Sequence, residues 1–219
     1  PLYRRALEIR RHAYGTAPPM GAATLFYISS LQSRRGDHAA SVASARQGLE
    51  IARAAYGVNH PAIADFTANL AAALHRAGRL EEAESLYRRA IALDERTRGR
   101  AHENVAGVET DLARLLVDRG NYAAADSTAR DALRIRTQAT GASSPNTAST
   151  EGLLGLVLTR ERRYGAADSV LRHAIATMER QVGRRHPDVR ELYGWLADLE
   201  HARGRQADAA RYRSIANAR

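Results

Sequence analysis

Lysine and cysteine are both absent from this 219-residue chain, and aromatic residues make up only 5% of it. Without cysteine there is no thiol nucleophile, no thiolate metal site and no redox pair, and the redox character of the compartment stays open. Without lysine a phosphate-binding loop of the Walker type is excluded. Long apolar runs are missing too. The longest lies around Leu153 to Leu158, far short of the roughly 20 residues a membrane-crossing helix needs, so membrane insertion is not expected. What is present, 44% apolar and 26% charged residues, excludes disordered and collagen-like classes. All 33 basic residues are arginine, against 24 acidic ones, for a net charge of +9. An Ala- and Arg-heavy, lysine-free usage is more simply explained by coding bias than by phosphate or carboxylate recognition. The first residue, Pro1, falls inside a helical pattern, so the chain reads as a fragment or trimmed product from which a signal peptide could have been lost.

Glycine recurs at 15, 57, 99, 141 and 183, each 42 residues from the last, and again at 36, 78, 120 and 204, with Arg162 in the fourth place of that second series. Two helix-ending glycines per period predict two helices per repeat. Pro19, Pro61, Pro145 and Pro187 form a third series, broken by Glu103, at a phase that suits the first position of a helix. Each period thus reads as a loop, a helix A of about 17 residues, a turn and a helix B of about 19. On helix A one buried face is predicted from Ile28, Leu70, Leu112, Leu154 and Leu196, with Leu31, Ala73, Leu115, Val157 and Leu199 three residues on. Helix B repeats small residues at Ser41, Ala83, Ala125, Ala167 and Ala209 and at Ala6, Gly48, Ala90, Ala132, Ala174 and Ala216, where larger side chains would hold helices apart. Leu7, Leu49, Ile91, Leu133 and Ile175, then Ile9, Ile51, Leu93 and Ile135, are expected between neighbouring hairpins.

The stretch Asn69-Leu70-Ala71 followed by Gly78, Ala83, Tyr87 and Ala90 resembles the tetratricopeptide repeat. The 42-residue period with Tyr56-Gly57 and His60-Pro61 is similar to the long-helix version in kinesin light chains and many bacterial proteins. Tyr87-Arg88-Arg89-Ala90 and Ala123-Ala124-Ala125-Asp126-Ser127 further resemble C-terminal repeats of bacterial serine/threonine kinases. The repeat resemblance covers nearly the whole chain and implies an all-α fold, an α-α superhelix of about five hairpins plus one leading helix. The expected domain is single, 1–219, with a leading helix B over 1–14 and hairpins over 18–56, 60–98, 102–140, 144–182 and 186–217. Gln32 and Glu200 depart from the pattern, standing where a middle repeat has Leu74. Ser214 and Asn217 make the last helix wettable, as in a terminal repeat. Leu2, Tyr3, Leu7 and Ile9 keep the full pattern at the start, so further repeats or another domain are expected upstream.

No catalytic constellation is found. His60, His102 and His186 share one phase before helix A and would lie a repeat apart, too far for one metal; capping of a helix start is the expected role. His102-Glu103 lacks the second histidine of a zincin pair, because Ala106 stands there. No cofactor or metal is expected. Arg4, Arg46, Arg88, Arg130 and Arg172 would align as a column on helix B, a possible polyanion surface. Glu84, Asp126 and Asp168 precede three of them by four residues, however, which predicts helical ion pairs. No aromatics are interleaved for base stacking, so nucleic acid is not the expected partner.

The resemblance implies instead a non-enzymatic scaffold, its concave groove lined by the A helices and holding a peptide segment or partner domain. Carried across by phase, the groove residues are Phe26, Tyr27 and Arg34, then Asn69, His75 and Arg76, then Asp111 and Arg114, then Arg160, then Trp195 and Asp198. Asn69 stands where related repeats hold a peptide backbone amide through donor and acceptor together. Phe26, Tyr27 and Trp195 are the aromatic anchors, with packing between helices as the other role open to Trp195. Arg34, Arg76, Arg114 and Arg160 face Asp65, Asp111, Asp118, Glu191 and Asp198, so no acidic-ligand preference is expected. The alternative is a regulatory or dimerising module of a larger signalling protein, making a homodimer through its N-terminal repeat. The cytoplasm is the expected compartment.

Overall fold

The computed structural model describes residue 5 and residues 19–218. The leading helix expected over 1–14, with its Arg4, Ala6 and Leu7, and the first glycine, Gly15, lie outside the described residues, Arg5 apart. Among the described residues there are ten α-helices and no strand. The A-type helices are α1 (Pro19–Arg34), α3 (Pro61–Arg76), α5 (Glu103–Asp118), α7 (Pro145–Arg160) and α9 (Pro187–Ala202). The B-type helices are α2 (His38–Tyr56), α4 (Leu80–Arg98), α6 (Tyr122–Thr140), α8 (Tyr164–Val182) and α10 (Gln206–Asn217). The chain divides into two compact units between Arg100 and Ala101. Hairpins α1/α2 and α3/α4 make the first, and α5/α6, α7/α8 and α9/α10 the second.

Each A helix stops in the same way. The amides of Asp37, Arg79, Asn121, Arg163 and Arg205 donate back to the carbonyls of Gln32, Leu74, Leu116, Leu158 and Glu200 at 2.9 to 3.0 Å. This six-to-one closure requires a left-handed residue just before the donor. Gly36, Gly78, Gly120 and Gly204 supply it at φ of 74° to 83°, and Arg162 adopts φ 62° in the remaining copy. Three A helices, α3, α5 and α9, start on a histidine cap. Nδ1 of His60, His102 and His186 accepts from the amides of Ala62, Asn104 and Asp188 at 3.1 to 3.3 Å. Those nitrogens are spent on orphan amide donors at a helix start.

The small B-helix residues do what their size allows. Ala83, Ala90, Ala125, Ala132, Ala167 and Ala174 are fully buried. In the first unit a Cβ added at Gly48 on α2 would lie 3.3 Å from Leu25 Cβ on α1 and 3.4 Å from the Ala22 carbonyl oxygen. In the second, one at Gly155 on α7 would lie 2.6 Å from Leu171 Cγ on α8. Leu70, Leu112, Leu154 and Leu196 are buried, as are Ala73, Leu115, Val157 and Leu199. Each buried leucine stabilises its hairpin by about 1.5–3 kcal/mol.

Leu31 is the exception on that face, at 42% exposure. Glu200, at the Leu74 phase, is only 1% exposed. Its carboxylate is met by Arg203 at 3.3 Å, Arg205 at 3.5 Å and Arg172 at 3.7 Å, which compensates the burial of a charge where the repeat otherwise buries an apolar side chain.

Candidate functional site

The A helices in each unit lie side by side, α1 against α3 in the first and α7 against both α5 and α9 in the second. Their outward residues therefore form one surface per unit.

In the first unit Phe26 is half-buried, its ring edge-on to Phe66 at 5.9 Å and to Tyr27 at 5.7 Å. Tyr27 is 54% exposed. Beside this aromatic step, Asn69 Nδ2 donates to Ser30 Oγ at 3.5 Å, and Arg76 Nη1 donates to Ser33 Oγ at 3.1 Å. These two bonds run from α3 to α1 and set the spacing of the helices. Asn69 is half-buried and uses one amide hydrogen in this way, while Arg76 and Arg34 remain exposed. His75 turns edge-on to Tyr87 at 6.5 Å. Phe66, Ser30 and Ser33 escaped the phase argument because they act through a neighbouring helix.

On the corresponding face of the second unit the charged side chains pair with one another, beside an open hollow of about 580 Å³ between α9 and α10 that Glu191, Trp195 and Asp198 help to line. Arg114 on α5 reaches Glu191 on α9 at 2.5 Å and lies 5.3 Å from the centre of the Trp195 ring. Trp195 is 9% exposed. It packs at Gly152 on α7, where an added Cβ would stand 3.1 Å from the indole. Trp195 is thus mostly packed between helices, where the missing side chain at Gly152 makes room for Leu192 and for the indole, while part of its ring borders the hollow between α9 and α10. Asp198 is held by Arg213 at 2.9 Å and faces Arg160 at 3.7 Å. Asp111 is exposed on α5.

The column of B-helix arginines is likewise tied down. Arg88, Arg130 and Arg172 pair with Glu84, Asp126 and Asp168 at 2.8 to 2.9 Å, and Arg46 approaches Glu82 at 3.9 Å. Arg130 and Arg172 are held more basic than a free guanidinium, Arg130 chiefly by its bond to Asp126 and Arg172 chiefly by its bond to Tyr212. Among the described residues no group of three or more His, Asp or Glu is placed to hold a metal ion.

Family models for the tetratricopeptide repeat match residues 62–138, 27–62 and 147–188. The chain belongs to the tetratricopeptide repeat family. Among solved structures this tetratricopeptide protein is similar to BtubC (BKLC) from P. vanneervenii, at 20% identity and a TM-score of 0.78 over 98% of this chain and 87% of that one. It is similar also to the kinesin-light-chain TPR-like repeats of Podosopora anserina, at 17% identity and a TM-score of 0.71 over 92% and 95% of the two chains. The apo form of RapI matches at 16% identity and a TM-score of 0.66, over 96% of this chain and 56% of that one. At such identities the likeness shows the fold. No curated protein matches the sequence. Tetratricopeptide repeats generally mediate protein–protein contacts and are typically non-catalytic. No helix among the described residues is long and apolar enough to cross a membrane.

Proposed function

We propose that this protein is an interaction scaffold whose A-helix face on α1 and α3 binds an extended peptide segment of a partner. One observation carries the reading. On that face an exposed aromatic ring, Tyr27, stands beside a polar handle, Asn69, and two exposed guanidinium groups, Arg34 and Arg76, whereas the equivalent face on α5, α7 and α9 is occupied by its own ion pairs. Aromatic rings and arginines supply most of the binding energy in such interfaces. An Asn carbonyl held in place offers a fixed acceptor to a peptide N–H. Both helices are rigid before the ligand arrives, so little ordering cost remains on the protein's side.

Selection of peptides from a random displayed library against the 219-residue chain tests the reading. Selected peptides are expected to lose at least tenfold in affinity, about 1.4 kcal/mol, on Tyr27→Ala or on Asn69→Ala with Arg76→Ala, with helical circular dichroism unchanged. They are expected to bind Arg160→Ala as they bind the parent. Peptides whose affinity ignores the α1 and α3 substitutions would overturn the assignment of this face.

A further inference from the structure

A hollow of about 470 Å³ opens elsewhere in the first unit, between α2, the loop that follows it, α3 and α4. Three arginines line it, Arg53 from α2 and Arg89 and Arg96 from α4, together with Asn59. Its floor is apolar: Ile63 and Leu93 are 3% and 9% exposed, with Ala92 and Val58 beside them. No carboxylate lines it. Arg96 Nη2 donates to the neutral Asn59 Oδ1 at 3.0 Å, which orients both groups and cancels no charge. Arg53 and Arg89 make no ion pair among the described residues.

This separates the trio from every arginine around it. On α4 itself, Arg88 is neutralised by Glu84, and Arg98 by Asp94 and Asp65; Arg100, just beyond, pairs with Glu95, and Arg79, just before, with Glu82. The unpaired trio does not repeat either. One period of 42 residues further on, the same three phases hold Glu95, Asp131 and Gln138, and one period beyond that Thr137, His173 and Arg180. A coding preference for arginine acts on all periods alike and does not account for three arginines meeting in one hollow.

Three like charges converging without a counter-charge are unfavourable until an anion enters. We propose that this hollow is a binding site for a phosphomonoester, its dianion taken by Arg53, Arg89 and Arg96 and its carbon body laid on Ile63, Ala92 and Leu93. A phosphomonoester brings nearly two negative charges and three acceptor oxygens, enough for one oxygen per guanidinium, whereas a carboxylate brings one charge and two oxygens. Arginine forks donate to such oxygens in pairs of parallel bonds. The volume lies in the range of small-ligand pockets, too large for a bare phosphate ion, and the apolar floor gives the remainder of the ligand something to bury. The site is separate from the peptide-binding face proposed above and does not depend on it.

Calorimetric titration of the whole chain with phenyl phosphate, benzoate and inorganic phosphate is the test. Phenyl phosphate is expected to bind saturably, at least tenfold more tightly than benzoate or inorganic phosphate, and to weaken as salt is raised. Arg89→Ala is expected to weaken it about tenfold and Arg53→Ala with Arg89→Ala to abolish it, whereas Arg88→Ala leaves it unchanged. A peptide bearing phosphotyrosine that binds more tightly than phenyl phosphate would assign the ester to a phosphorylated protein; equal affinity would assign it to a small phosphate ester. No saturable binding, benzoate binding equally well, or affinity that survives the double substitution would overturn the proposal. Inorganic phosphate binding as tightly as phenyl phosphate would overturn the part given to the apolar floor.

Discussion

Arg162 shows how strongly the repeat dictates backbone shape. Four of the five A-to-B turns use glycine at positive φ, and Arg162 takes φ 62° in the fifth although a side chain there costs roughly 1–2 kcal/mol. Its side chain is exposed and enters no ion pair among the described residues, so replacement removes nothing else. Arg162→Gly is therefore expected to raise stability by about 0.5–1 kcal/mol, after the extra entropy that glycine loses on folding is set against the relieved strain. The midpoint of urea denaturation reads this directly, and an unchanged or lower midpoint would contradict it. Tyr193 gives a second residue-level expectation. Burial, then the hydrogen bond from its hydroxyl to Glu179 Oε1 at 3.0 Å, holds its phenol above the ordinary tyrosine value. A group raised in the folded state gives stability that is complete below its unfolded value, about 10, and is lost as pH rises through the folded one. Stability should accordingly decline in the alkaline range more steeply for the parent than for Tyr193→Phe. Parallel curves in denaturation series from pH 8 to 11 would refute that.

At the scale of helices, close approach explains more than hydrophobicity. An alanine in a helix interior normally gains up to about 1 kcal/mol over glycine, but at Gly155 the new Cβ would stand 2.6 Å from the branch carbon of Leu171, which is itself fully buried. Overpacking of that kind costs about 1–3 kcal/mol, so Gly155→Ala is expected to destabilise by about 1–2 kcal/mol net. Part of that loss should be absent when the substitution is made on a Leu171→Ala background. Thermal unfolding of the four members of this cycle checks it, and simple additivity would argue that α7 and α8 do not meet there. The helices themselves were legible in the sequence, because glycine at a positive-φ turn, histidine or proline at a helix start and alanine at a crossing are each tied to one place in the period. Features made by two different hairpins were not. Trp195 carried the phase of an open anchor, and only the packing against Gly152 and Leu192 shows that most of the indole is buried. Glu200 looked like a flaw in the apolar pattern until three arginines, one from α8 and two from the turn after α9, met it. Arg53, Arg89 and Arg96 lie on two hairpins at unrelated phases and form a cluster only once α2 and α4 are folded together.

For the molecule as a whole, a net charge of +9 invited a polyanion reading that the local geometry redistributes. Much of the arginine is engaged in pairs along single helices or between neighbours, worth a few tenths of a kcal/mol each where exposed, and in the first unit uncompensated charge gathers in one hollow at Arg53, Arg89 and Arg96. The second unit spends Arg114 and Arg160 on Glu191 and Asp198. Two units built from one repeat thus present different chemistry, and the account expects peptide recognition to belong to the first. Backbone resonances of the isotope-labelled chain, followed while a selected peptide is titrated, test this most directly. The account predicts that shifts concentrate on α1 and α3 around Tyr27, Asn69 and Arg76 while those of α5, α7 and α9 stay put; shifts centred on α5, α7 and α9, or confined to the B helices, would contradict it.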